Sequence, residues 1–246
     1  RRTPSPVARA EGGEVVLVGS CSGVTLRQRD HFAQDNPMLD IDICEADEDT
    51  LMARALAWAD EKLGAGQPIG FSVAGDVASV ADAQAKFGIM GAARKAEAIL
   101  AGIAKGLGGR GVRKFVVSGG ETSGAIVEAL GIQSMQVLPF DELGAGSCIS
   151  RDARRISLFL KPGKIGAEDV FSAALEKMRA PERPGNRRHW RASTDPRRIG
   201  RLDPADALPQ HGQQAGARDH SNPDDGQQVG ILVKDDDAEE HRPAKL

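Results

Sequence analysis

From Val15 to about Met178, short apolar runs rich in β-branched residues alternate with longer stretches whose apolar residues return every three or four positions. The short runs predict strands at Val15 to Gly19, Leu39 to Cys44, Ile69 to Val73, Lys114 to Ser118, Met135 to Pro139 and Ile156 to Leu160, each bounded by Gly, Pro, Asp or Ser. Most are apolar on both faces, as strands are when helices cover both sides of a sheet. Leu39 to Cys44 alternates and is expected at an edge. The pattern predicts an α/β domain: a mainly parallel sheet with helices on both faces.

The longer stretches predict the helices. One runs from about Glu48 to Leu63, with acidic residues at its start, Leu51, Ala55, Trp58 and Leu63 along one face, and Gly64 as its stop. The longest pattern, about Ala83 to Leu107, places Ala92, Ala96, Ile99, Leu100, Ile103 and Leu107 at spacings of three and four before Gly108 and Gly109. That stripe reads as core.

After about Arg179 the periodicity vanishes and Pro, Arg, Gln, Asp and Gly dominate. All seven Phe residues lie before this point and four of the five His residues after it, so the material for a core belongs to the first part. We expect a domain over residues 15–179, a truncated linker remnant over 1–14, and a disordered tail over 180–246. The tail's bias also resembles a GC-rich gene read out of frame. Resequencing the gene tests that frameshift, and an intact frame with a folded tail contradicts it.

Composition narrows the function. Hydrophobic residues make up 40% and charged residues 27% of the 246, ordinary for a soluble domain, and no run approaches the about 18 apolar residues of a membrane span. The start at Arg1 offers no export signal, so a cytoplasmic location is expected. A net charge of -3 gives no reason to expect nucleic acid. Cys21, Cys44 and Cys148 form no Cys-x-x-Cys pair and are expected to be small buried hydrophobes in a reducing compartment.

Chemistry concentrates in three loops that follow strands. Gly119-Gly120-Glu121-Thr122-Ser123-Gly124 lies between an apolar strand and a helix through Ile126 to Leu130. Glycines there let amides approach a ligand, and the helix adds the positive end of its dipole, so a phosphate is the natural guest. It lacks the Lys and the spacing of a Walker loop and the Gly-x-Gly of a dinucleotide fingerprint. A tight turn with Thr122 as cap is the alternative. Gly19-Ser20-Cys21-Ser22-Gly23 also follows a strand, where Ser20 or Ser22 could serve a ligand or simply cap the next helix. Lys161-Pro162-Gly163-Lys164-Ile165-Gly166 opens a third turn, whose two lysines either attract phosphate or are solvated. If the strands before the first two loops are neighbours, those loops face one cleft.

In this order and at about these separations, the loops resemble the C-terminal domain of the four-carbon acid sugar kinase family, whose members phosphorylate 3-oxo-tetronate, threonate or erythronate with ATP. The resemblance covers about Val15 to Met178. It is most specific in Ser118 to Gly124 continuing through Val127-Glu128-Ala129-Leu130-Gly131-Ile132, and extends to Gly19-Ser20-Cys21-Ser22 with Thr25 and Gln28. Leu160 to Gly166 resembles the family's Leu-Lys-Ser-Gly-Asn-Phe-Gly loop, with Pro162, Lys164 and Ile165 as departures, and Leu143 to Cys148 stands where the family has Gly-Val-Pro-Trp.

The resemblance implies that Ser20, Ser22, Gly119, Gly120, Glu121, Thr122 and Gly163 contact ATP, with Mg²⁺ as its companion. Glu121 is a candidate to assist Mg²⁺ or a nucleotide hydroxyl, and the alternative is an acid at a helix start that only complements the dipole. No metal site of the protein's own is expected. The resemblance also implies that the sugar acid and the catalytic base belong to an N-terminal domain, marked in the family by Asp-Asp and Thr-Gly-Ala motifs, that this sequence lacks. The expected partners are therefore the nucleotide, the sugar acid and that missing substrate domain, and a homodimer stays open. A non-catalytic module for nucleotides or phosphometabolites is the competing reading.

Overall fold

The structure, a computed structural model, describes residues 10–138, 143 and 145–179. The expectations for residues 180–246, for Pro139 and for most of the linker remnant lie outside the described residues. Seven strands form one sheet: β1 (Gly13–Val18), β2 (Met38–Asp40), β3 (Ile69–Ser72), β4 (Val112–Ser118), β5 (Met135–Val137), β6 (Gly146–Ser150) and β7 (Ser157–Lys161), in the order β2-β3-β1-β4-β7-β6-β5. The pairs from β2 through β7 are parallel, whereas β6 runs antiparallel to both β7 and β5. The short, alternating β2 sits at an edge, as its pattern predicts.

Six helices, α1 (Gly23–Ala33), α2 (Glu48–Leu63), α3 (Val77–Phe87), α4 (Ile89–Gly109), α5 (Gly120–Ala129) and α6 (Val170–Arg179), are distributed over two faces. Alternate residues of the central strands divide between two cores. Val15, Leu17, Phe115 and Val117 pack with Leu51 and Ala55 of α2, Ile99 and Ile103 of α4, and Ile126 of α5. Val16, Val18, Val116 and Phe159 pack with Phe32 of α1 and Phe171 and Leu175 of α6. Trp58 closes edge-on over Phe71 at 5.3 Å, and Phe32 meets Phe171 at 6.4 Å. Burying such side chains contributes about 1.5–3 kcal/mol each, which is why two apolar faces on one strand fix a three-layer fold.

Three expectations change. The Ala83-to-Leu107 pattern is two helices, broken at Gly88, whose φ of 72° an L side chain rarely adopts. Residues 146–150, where no strand was expected, form β6, with Ala145 buried and Leu143 packed beside it against the Phe159 core. Of the cysteines only Cys148 is buried; Cys44 is intermediate and Cys21 exposed. Among the described residues no helix is long and apolar enough to cross a membrane.

Candidate nucleotide site

β1, β4 and β7 are adjacent and parallel, so the three loops leave the same edge of the sheet side by side. That is the edge where α/β sheets bind ligands. The backbone joins them: the Gly19 amide donates to the Ser118 carbonyl at 2.9 Å, and the Gly119 amide to the Lys161 carbonyl at 3.0 Å.

The middle loop turns into α5 through Gly119, whose φ of 130° requires glycine. No side chain caps α5, so Thr122 is not the cap considered above. Ser123 donates back to the Gly119 carbonyl through its amide (3.0 Å) and its hydroxyl (2.6 Å), leaving the amides of Gly120, Glu121 and Thr122 without acceptors among the described residues. Free first-turn amides at a helix N-terminus attract anions. A Cβ on Gly120 would meet nothing within 4 Å, so the approach is open. Thr122 itself is buried and wedged against the first loop, where a Cβ on Gly19 would overlap its hydroxyl.

In the first loop, Ser22 is the N-cap of α1 and accepts from the Thr25 amide at 3.2 Å. Its hydroxyl also donates to the Gly163 carbonyl at 2.6 Å, and Thr25 Oγ1 donates to the same carbonyl at 2.5 Å. Ser20 accepts weakly from the Ser22 amide at 3.4 Å and lies so close to Gly163 that a Cβ there would overlap its hydroxyl. The fully buried Gln28 clasps the rest of the third loop, with Nε2 donating to the carbonyls of Ile165, Gly166 and Ala167 at 3.1, 2.9 and 3.0 Å.

The two lysines of the third loop part company. Lys164 is exposed, whereas Lys161 is the last residue of β7 and 1% exposed. Its ammonium donates to Ser118 Oγ at 3.1 Å and to the Pro162 carbonyl at 2.9 Å. Burial lowers its pKa to about 8. At the rim, burial raises the Glu97 carboxyl of α4, and the neighbouring Glu121 carboxylate raises it further, so two like charges face each other beside the cradle. Among the described residues no three metal-ligating side chains converge. Thus Ser20, Ser22, Gly119, Gly120, Glu121, Thr122 and Gly163 fall on three joined loops, while sequence reasoning missed the Lys161–Ser118–Thr25 contacts beneath them. A Lys beside Pro-Gly gives no sign of burial.

Residues 15–171 match the family model of the nucleotide-binding C-terminal domain. The chain belongs to that family. The 3-oxo-tetronate kinase of Methylobacterium radiotolerans is 40% identical over 171 residues, covering 68% of this chain and 40% of that protein. That of Escherichia coli is 35% identical over 143 residues, covering 56% of this chain and 36% of that protein. These are the four-carbon acid sugar kinases that the loops resemble, and the chain spans about two fifths of their length. A crystal structure from Salmonella typhimurium LT2, described provisionally as a tRNA synthase, superposes with a TM-score of 0.61 at 30% identity over 70% of this chain and 42% of that one. A Haemophilus influenzae protein at 24% identity, covering 72% of this chain and 43% of its own, shares the fold with a TM-score of 0.63.

Proposed function

We propose that this chain is the ATP-holding half of a kinase that phosphorylates a four-carbon sugar acid such as 3-oxo-tetronate. The observation that carries the reading is the joining of three glycine-containing loops at the ends of β1, β4 and β7 around the free amides of Gly120, Glu121 and Thr122. Phosphoryl transfer depends on positioning and charge neutralisation. The α5 amides hold phosphate oxygens, Gly163 and Ser20 shape the wall beside them, and Ser22 keeps the third loop in register. Mg²⁺ would accompany the nucleotide, held through one or two carboxylates plus phosphates. Glu121 and Glu97 would hold that ion: burial raises the Glu97 carboxyl, the Glu121 carboxylate raises it further, and a cation would offset the repulsion between them.

The sugar acid and the base that activates its hydroxyl are assigned to a substrate domain outside this chain. The test is tetronate-dependent ADP release by the 246-residue chain, alone and mixed with the N-terminal part of the Methylobacterium radiotolerans kinase. We expect no turnover alone and turnover in the mixture. Robust phosphorylation by the chain alone overturns this division of labour.

A further inference from the structure

Lys161 is buried where an anion site needs charge, yet its ammonium is held entirely by groups inside the fold. Beyond Ser118 Oγ and the Pro162 carbonyl, its ammonium lies 3.5 Å from the Gly163 carbonyl and 5.7 Å from the centre of the Phe171 ring. The groups that face it are therefore neutral: a hydroxyl from β4, two loop carbonyls and an aromatic ring from α6. Thr25 and Ser22, one contact further on, are neutral as well, and Lys164 in the same loop is exposed. Among the described residues no carboxylate pairs with it, and desolvation alone lowers its pKa.

An ammonium only donates. With the Ser118 oxygen accepting from Lys161, the Ser118 hydrogen is directed to Thr25 Oγ1 at 3.2 Å, and Thr25 turns its own hydrogen to the Gly163 carbonyl. The chain thus has one direction, from ammonium to carbonyl. Because a trans peptide is planar with its C=O and N–H opposed, an inward Gly163 carbonyl turns the Lys164 amide away from this buried cluster, toward solvent.

We propose that Lys161 is a positioning residue for the nucleotide: its ammonium orders the Ser118–Thr25 chain, holds the Gly163 carbonyl inward, and so presents the Lys164 amide, backed by an uncompensated positive charge, to a phosphate. This rests on the nucleotide reading above. A neutral amine could accept from Ser118 and the direction of the chain would be lost, so anion affinity falls as pH rises through about 8. The nucleotide's own ionisation is complete by about pH 7.5, which leaves that window clear.

The experiment is calorimetric titration of the 246-residue chain with Mg-ATP from about pH 7.5 to about pH 9.5, for wild type and Lys161→Met, with hydrogen exchange followed over residues 162–166. Wild-type affinity should fall across the range. Lys161→Met should bind about tenfold more weakly at the lower end, the size of one lost charge-assisted interaction, without the alkaline decline and with faster exchange in the loop. A folded Lys161→Met with wild-type affinity and pH profile overturns the proposal. Should that variant not fold, Thr25→Val cuts the chain while keeping the ammonium, and unchanged affinity in it overturns the proposal equally. If wild type binds no Mg-ATP, the nucleotide reading fails. The exchange arm then decides the positioning claim, and unchanged exchange in the variant contradicts it.

Discussion

Two buried lysines lie in one pair of adjacent strands, at opposite ends of that pair. Lys114, near the start of β4, donates to the Gly12 carbonyl at 3.2 Å and pairs with Glu14 at 3.2 Å. Arg179 of α6 closes on the same carboxylate. Burial pushes the Glu14 carboxyl up, but Arg179 and Lys114 together hold it below its ordinary value. Lys161, at the end of β7, has neutral partners only. One lysine is compensated within the fold and the other is not. A lowering from 10.5 to about 8 corresponds to on the order of 3 kcal/mol against the charged form. The carboxyl ends of these strands thus retain unneutralised charge, which an anionic guest would satisfy, whereas at the opposite ends the charges join β1, β4 and α6.

The contrast can be broken most forcefully with Glu14→Ala, which leaves Lys114 without its carboxylate. Only 12% of the Glu14 side chain is exposed, so we expect a loss of about 2–3 kcal/mol in urea denaturation, with Mg-ATP binding retained. Gly19→Ala should follow with about 2 kcal/mol, because its Cβ would overlap the buried Thr122 hydroxyl, and it should disturb binding as well.

Lys161→Met sharpens the comparison through its sign. Replacing an uncompensated buried ammonium by an apolar side chain should leave stability unchanged or raise it by about 1 kcal/mol, while nucleotide affinity falls. The sign follows from linkage. Below about pH 8 the folded wild type carries the full cost of the charge, and between about 8 and 10.5 the unfolded chain holds the proton that the folded chain has shed. Wild-type stability relative to the variant should therefore rise with pH across that window, opposite to the fall in ATP affinity. Denaturation curves of both proteins at several pH values check this. The smallest effect belongs to Asp76→Ala. Asp76 caps α3 through the Ser79 amide at 2.8 Å, and bonds from Ser79 lower its pKa. A slightly lower melting temperature is expected, a difference that narrows as pH falls through that depressed value, with binding untouched.

Much of the fold was legible because apolar periodicity reports burial directly. The helix expected from about Glu48 to Leu63 is α2, and every predicted strand has a counterpart, although β2 stops at Asp40. Gly88 was passed over because the apolar repeat continues across it while only its backbone angle breaks the helix. β6 was missed because Gly146, Ser147 and Ser150 resemble loop residues, and its place between β5 and β7 comes from pairing over long range. At the site, the loops were legible by their glycines and hydroxyls. What those hydroxyls touch was not, because Thr25 and Ser22 reach Gly163 across some 140 residues, a distance no local pattern encodes.

The claim that these three loops form a nucleotide site is tested most directly by the shift that Mg-ATP produces in the melting temperature of wild type and Gly120→Asp. A Cβ at Gly120 meets nothing within 4 Å, so the substitution places a negative charge beside the free α5 amides without crowding the fold. We predict stabilisation of wild type by Mg-ATP and none in Gly120→Asp, with equal melting temperatures in the absence of nucleotide. Equal stabilisation of both proteins, or none in a folded wild type, would contradict the site.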